Sequence, residues 1–213
     1  RSRDLTSNDG GAIPLYRDPQ EWSYGLSTFD ATHVLVLNYT WMLPRMSSLL
    51  DTPVIRATLD NWQLSGISTF ASGNPANVTF TTVDNADLLG GGDLQGGGAP
   101  IVVSGSPNLP RGERTLERWF DTSVFARPAP GEIGNGRKDV VRLPGVQDTG
   151  LTISKLFPFG SGRRSAQFRW EIYNLFNSLQ YNAVDRTARF DAQGRQINSR
   201  LGQVISTRGP RVM

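Results

Sequence analysis

Residues 32–43 read THVLVLNYTWML, and their apolar character repeats at every second position. Leu35, Leu37, Tyr39, Trp41 and Leu43 share one parity, while Val34, Val36, Asn38 and Thr40 share the other. Period two is the signature of an extended strand, because successive side chains leave a pleated backbone on opposite sides. One side here is apolar throughout, with Tyr and Trp near its lower end, and the other grades into Asn and Thr. Such a strand suits lipid on one side and water on the other. Pro44 ends it, since its nitrogen has no proton to give a ladder.

The pattern returns three times. In residues 62–70, Trp62, Leu64, Gly66 and Phe70 alternate with Gln63, Ser65 and Thr69. In residues 148–157, Thr149, Leu151, Ile153 and Phe157 alternate with Asp148, Gly150, Thr152 and Ser154. Lys155 interrupts that apolar side close to its end, where its ammonium is expected to reach the membrane interface. In residues 165–174, Ala166, Phe168, Trp170 and Ile172 alternate with Gln167, Arg169, Glu171 and Tyr173. Wound as a helix, this last segment would show no apolar stripe. A further strand is expected to begin near Gln203, which places strands at about 32–43, 62–72, 148–157, 165–175 and 203–213.

No run of roughly 18 apolar residues is present, so a membrane crossing would have to be made by strands. The expected class is all-β, with antiparallel strands of a transmembrane barrel. Five strands are too few to close one. On this reading Leu35, Leu37, Tyr39, Trp41, Phe168, Trp170 and Ile172 face lipid. Asn38, Gln63, Arg169, Glu171 and Tyr173 face the lumen, with Arg169 and Glu171 pairing across strands.

Residues 73–146 and 177–201 lack this periodicity. The first stretch is Gly-rich, with glycine triplets at 90–92 and 96–98, and is expected to be a long loop with a flexible tip. So long a connection is unusual in a compact soluble domain but normal on the outer face of a barrel. Within it, residues 115–125 are expected to form one or two helical turns capped by Thr115, with Trp119 and Phe120 packing locally. The 23 Gly and 13 Pro of the chain agree with strands and turns rather than helices.

Other chemistries find little support. With no Cys, thiol nucleophiles, disulfides and zinc ribbons are excluded. The net charge of +3 comes from scattered Arg residues, which form no nucleic-acid footprint. His33, the single histidine, lies on the apolar parity and reads as a rim residue rather than a catalytic base. Asp84, Asn85 and Asp87 lack the bidentate Glu that would complete a calcium loop. No Lys-Ser or Lys-Thr follows the glycine triplets, as a phosphate cradle requires. Glu113, Glu117 and Asp121 have no fixed second face for glycoside chemistry. The expectation is a chain with no catalytic residues, metal or cofactor.

Taken in order, FDATHVLVLNYTWMLP at 29–44, NWQLSGISTFASGNP at 61–75, RWFDTSVFARPAPGEIGN at 118–135, FRWEIYNLFN at 168–177 and LGQVISTRGPRVM at 201–213 are more specific than any one of them. The chain resembles the C-terminal barrel region of TonB-dependent outer-membrane transporters, in particular the Oar-like receptors with a carboxypeptidase-regulatory-like N-terminal domain. That resemblance implies a bacterial outer-membrane address and uptake of an unknown solute. It also implies a TonB complex, contacted through an upstream plug, and a barrel of roughly 22 strands of which this chain is a fragment. Barrels of this kind usually end in a terminal aromatic rather than Met213, which implies a further strand of about ten residues. The connections 44–61 and 158–164 are expected in the periplasm, and 73–146 and 177–201 outside the cell. The rival is a soluble β-sandwich that binds carbohydrate or acts as an adhesin, which would have to bury one face of these strands under another sheet.

Overall fold

The computed structural model describes residues 2–3, 24–84, 86, 88, 101–159, 164–210 and 212. They divide into two compact units. One comprises Thr32–Ser72, Val146–Gln180 and Arg208–Met213; the other comprises Arg1–Ala31, Gly73–Gly145 and Tyr181–Thr207.

The first unit is a sheet of four strands, β1 (Val34–Met42), β2 (Trp62–Ala71), β3 (Val146–Phe159) and β4 (Arg164–Ile172). They lie side by side in that order, and every neighbouring pair is antiparallel. Their lengths of 9, 10, 14 and 9 residues reach or exceed the roughly 9–11 residues that a tilted strand needs to cross a bilayer. The register carries the period-two pattern from strand to strand. Trp41 stands opposite Leu64, Leu64 opposite Ile153, and Ile153 opposite Trp170, all on one face. The adjacent row on the opposite face runs Thr40, Ser65, Thr152, Glu171. Each strand is thus amphipathic in phase with its neighbours, which a slip of one residue would destroy.

Among the described residues of the unit nothing seals the apolar face. Leu37, Trp41, Phe168 and Trp170 remain 48%, 61%, 50% and 43% exposed. A soluble sandwich would have hidden these side chains beneath a second sheet, so that alternative fails here. Ile172 departs from its expected exposure, being only 7% exposed. It is the last residue of β4, where the chain turns back through Asn174 and Asn177, both at φ 50°, and the Leu175 amide bonds Thr149 O at 2.8 Å. The polar residues that intrude on the apolar face satisfy each other, Thr149 donating to Ser68 Oγ at 3.1 Å. Gly66 stands opposite Tyr39, and a Cβ there would collide with the Tyr39 ring. The bare glycine lets the aromatic lie against the sheet.

The connection between β1 and β2 holds a 3₁₀ turn at Met46–Ser48 and a helix, α1 (Pro53–Leu59). Thr52 caps α1 by accepting the Ile55 amide on its hydroxyl at 3.2 Å, and Pro53 opens the first turn with its fixed φ. Asn61, at φ 60°, then reverses the chain into β2. Asp60 ties the two pieces together, its carboxylate accepting the Ser47 amide at 3.0 Å and hydroxyl at 2.5 Å.

Lys155 corrects the sequence reading. Its side chain is 3% exposed, and its ammonium donates to Asp60 O at 2.6 Å and Thr58 O at 3.1 Å instead of reaching water. The rings of Trp62 and Phe157 lie 5.0 and 5.1 Å from it. A cation at the helix C-terminus meets the carbonyls that have no intrahelical partner. Lys155→Met should therefore cost about 1–3 kcal/mol, by orphaning Asp60 O and leaving Thr58 O only the Trp62 indole, and lower the urea midpoint accordingly. An unchanged midpoint would mean that water replaces the ammonium without loss.

The second unit holds most of the buried apolar side chains. Phe80, Phe120, Phe125, Val141, Phe190 and Leu201 belong to one core, with Phe120 only 1% exposed. The two long loops expected at 73–146 and 177–201 thus share one core, which the absence of periodicity did not announce. Thr79–Thr82 of the first pairs in parallel with Thr187–Phe190 of the second, and Phe80 meets Phe190 edge-on at 5.8 Å. Residues 115–125 are not helical: Thr115 and Arg118 close a turn through two hydrogen bonds, 3.0 and 3.1 Å. Trp119 donates to Arg142 O at 2.8 Å and meets Tyr181 edge-on at 5.9 Å, so its packing is long-range rather than local. The glycine triplets, Asn85, Asp87 and residues 160–163 lie outside the described residues.

Arg127 joins both loops, pairing with Asp84 at 2.8 Å and donating to Asp191 O at 2.7 Å. The Arg127 hydrogen bond holds the Asp84 carboxyl below its ordinary value of 3.8. The pair's contribution is full above that value and is lost as pH falls through the lowered one, leaving a buried guanidinium without its counter-charge. Pepsin should therefore open this unit progressively as pH falls below about 4, and Asp84→Asn should flatten that dependence. A variant retaining the full pH dependence would exclude the pair as its source.

The expected fifth strand is divided. Val204–Thr207 pairs with Tyr181–Val184 in the second unit. In the first, Arg208 donates to Gln180 O at 2.8 Å, and Val212 bridges Tyr173 just beyond the end of β4, its carbonyl accepting the Tyr173 amide at 2.8 Å.

Candidate functional site

The polar face of the four-stranded sheet is concave and encloses a groove of about 640 Å³. Every strand contributes: Asn38 and Thr40 from β1, Ser65 and Thr69 from β2, Asp148 and Thr152 from β3, Arg169 and Glu171 from β4. Tyr173 lies just beyond β4 and also lines it. The register explains the convergence, because these positions share the parity opposite to Leu37, Trp41 and Trp170.

Three of these side chains form one network. Arg169 pairs with Glu171 at 2.6 Å, and the Tyr173 hydroxyl donates to the other carboxylate oxygen of Glu171 at 2.7 Å. The pairing of Arg169 and Glu171 across strands, expected from the sequence, is corrected. They pair instead along β4, two positions apart on the same face, because their cross-strand neighbours are Ser154 and Thr152, which carry no charge. The result is a surface of hydroxyls, an amide, the Arg169–Glu171 ion pair and the Asp148 carboxylate, able to hydrogen-bond a polar solute or a polar protein surface.

Four of the five expected lumen residues, Asn38, Arg169, Glu171 and Tyr173, meet in the groove. Gln63 lies on the same face but outside it, between Met42 and Ser154 toward the turn end of the sheet. Sequence reasoning missed Thr40, Ser65, Thr69, Asp148 and Thr152, although their parity in the alternating segments carried the signal. Ile67 is an apolar exception on this face.

The other candidates are occupied structurally. The His33 amide donates to Ser72 Oγ at 3.1 Å and its carbonyl accepts the Ser72 amide at 2.8 Å, so its backbone closes the end of the β1–β2 pair. Asp121 accepts from the Ser123 hydroxyl at 2.8 Å, the Ser123 amide at 3.1 Å and Arg118 at 3.1 Å. Those bonds, Ser123 foremost, hold its carboxyl below the usual range. Among the described residues no cluster of His, Asp and Glu has the makings of a metal site, and no helix is long and apolar enough to cross a membrane.

The family model described as an outer membrane beta barrel domain matches residues 1–213. The chain belongs to this family. It is a bacterial outer-membrane barrel protein, and its environment is a lipid bilayer. No match was found among curated proteins or among solved structures. In outer-membrane barrels the apolar side chains of a strand face lipid and the alternating polar ones face the lumen. The four strands form an open sheet, so in the bilayer the free backbone edges of β1 and β4 require further strands.

Proposed function

We propose that this chain forms part of the barrel of a TonB-dependent receptor that takes up a solute across the outer membrane, and that it carries no enzymatic activity. The observation that carries the reading is the groove: a hydrogen-bonding surface assembled from all four strands on the face opposite the lipid. A wide barrel with a wet or plugged interior needs such a surface, whereas a small barrel fills its interior with side chains. The resemblance of the ordered segments to Oar-like receptors adds the coupling to TonB, through a plug outside these residues. In this arrangement the connection 44–61 faces the periplasm, and the two long loops face outward.

The test does not require the solute to be identified beforehand. Cells lacking this protein, cells lacking TonB and their parent are grown in the same rich medium, and solute depletion is compared. At least one solute should be taken up by the parent only, and a protonophore should abolish its uptake. Depletion that is lost without the protein but persists without TonB would replace this reading with a passive porin. Orientation is read separately: protease added to intact cells should spare residues 44–61.

A further inference from the structure

The geometry points to a second lipid contact: we propose that the connection holding the 3₁₀ turn and α1 lies in the headgroup layer of the phospholipid leaflet at the turn end of the barrel. This rests on the lipid-facing reading of the apolar face. Lys155 and Trp62 stand opposite each other in the register and leave the sheet on that face. Both reach α1 from there, Lys155 bonding Thr58 O and Asp60 O, and the Trp62 indole bonding Thr58 O at 2.9 Å. The C-terminal end of α1 therefore hangs on the lipid side of the sheet, not beneath the lumen.

What α1 presents agrees with that position. At about 100° per residue, Val54, Ile55 and Leu59 fall within an arc of about 140° that also holds Thr58, whose hydroxyl donates back to Val54 O at 2.7 Å, and Arg56 borders that arc about 60° beyond Leu59. Val54 and Leu59 are exposed, as are Leu49 and Leu50 just before the helix. The end of the sheet that Trp62 and Lys155 tie to α1 carries the aromatic rows of Trp62 and Phe168 and of Trp41 and Trp170, the kind of residues that form the interfacial girdle of barrels. In water so many clustered apolar side chains would be unfavourable. At the membrane interface they enter the acyl boundary while the Arg56–Asp51 pair stays with the headgroups.

The 213 residues contain no cysteine, so single sites can be labelled. Leu50→Cys and Val54→Cys, with Asp51→Cys and Leu37→Cys as references, carry an environment-sensitive fluorophore in the full protein inserted into phosphatidylethanolamine–phosphatidylglycerol vesicles. Such vesicles expose phospholipid on both sides, so the result does not depend on orientation. Lipids spin-labelled near the headgroup should quench positions 50 and 54 at least about twofold more than iodide does, with the reverse at 51. Iodide quenching of 50 and 54 as strong as that of 51 overturns the proposal, because the helix then lies in water. Quenching by neither agent also overturns it, because a protein surface then covers the site. A Leu37 label that sees no lipid brings down the reading of the sheet itself, whereas a lipid-quenched Leu37 beside an iodide-quenched Val54 removes only the interfacial helix. Leu49→Cys and Leu59→Cys replace either variant that fails to insert.

Discussion

Leu37→Arg lowers the folding free energy of the barrel by about 2–4 kcal/mol, while Asn38→Arg, one residue along, leaves it nearly unchanged. The two side chains leave β1 on opposite faces. Leu37 is half exposed on the apolar face near the middle of the strand, where a guanidinium has neither water nor a partner. Asn38 lines the polar groove beside Thr40 and Ser65, where a charge stays hydrated. Urea titration of the protein in lipid vesicles, followed by the heat-dependent shift of the folded band on a gel, reads both variants. Equal losses at 37 and 38 would mean that the two faces do not differ in environment, and the barrel reading would fall with them.

Phe120→Ala should release the second unit while the sheet stays folded. Phe120 is almost fully buried and meets Phe125 edge-on at 5.8 Å in the core that unites the two long loops. Removing a buried Phe ring costs about 3–5 kcal/mol, a large share of the stability of so small a core. Trypsin cleavage after Arg114 and Arg118 should therefore accelerate by about 100-fold or more, as local opening becomes easier. The sheet should keep its resistance to detergent, since Phe120 lies outside the unit that contains it. Loss of folded sheet in the same variant would show that the two units form one cooperative structure.

The strands were legible because their constraint is local. A strand between lipid and water must alternate, and the alternation is written in consecutive residues such as Leu35 to Trp41 and Phe168 to Ile172. The groove was half legible for the same reason. Parity assigned Asn38, Arg169, Glu171 and Tyr173 to one face, but which of the polar residues converge depends on register and curvature. Helix α1 also leaves a signal in the sequence, Thr52 and Pro53 at its start and Asn61 beyond its end, but a faint one, because the apolar residues between them follow no long period.

The loop unit left no such trace. Its core is assembled from residues far apart in the chain, with Thr79 and Thr187 facing each other across 108 positions, and no periodic pattern prepares for that contact. Lys155 was illegible for a related reason, since a cation near the end of a membrane strand ordinarily snorkels to water. Only the arrival of the α1 carbonyls makes a buried position better satisfied.

By itself the sequence determined which side chains share a face of each strand, and hence that the fold is an antiparallel sheet between lipid and water. The tertiary structure decided where the long loops go, that they share a core, that Arg169 pairs along its own strand, and that Lys155 holds a helix. Alternation is a property of neighbouring residues, whereas these contacts depend on which distant segments the register brings together, and that is settled only when the whole chain is packed.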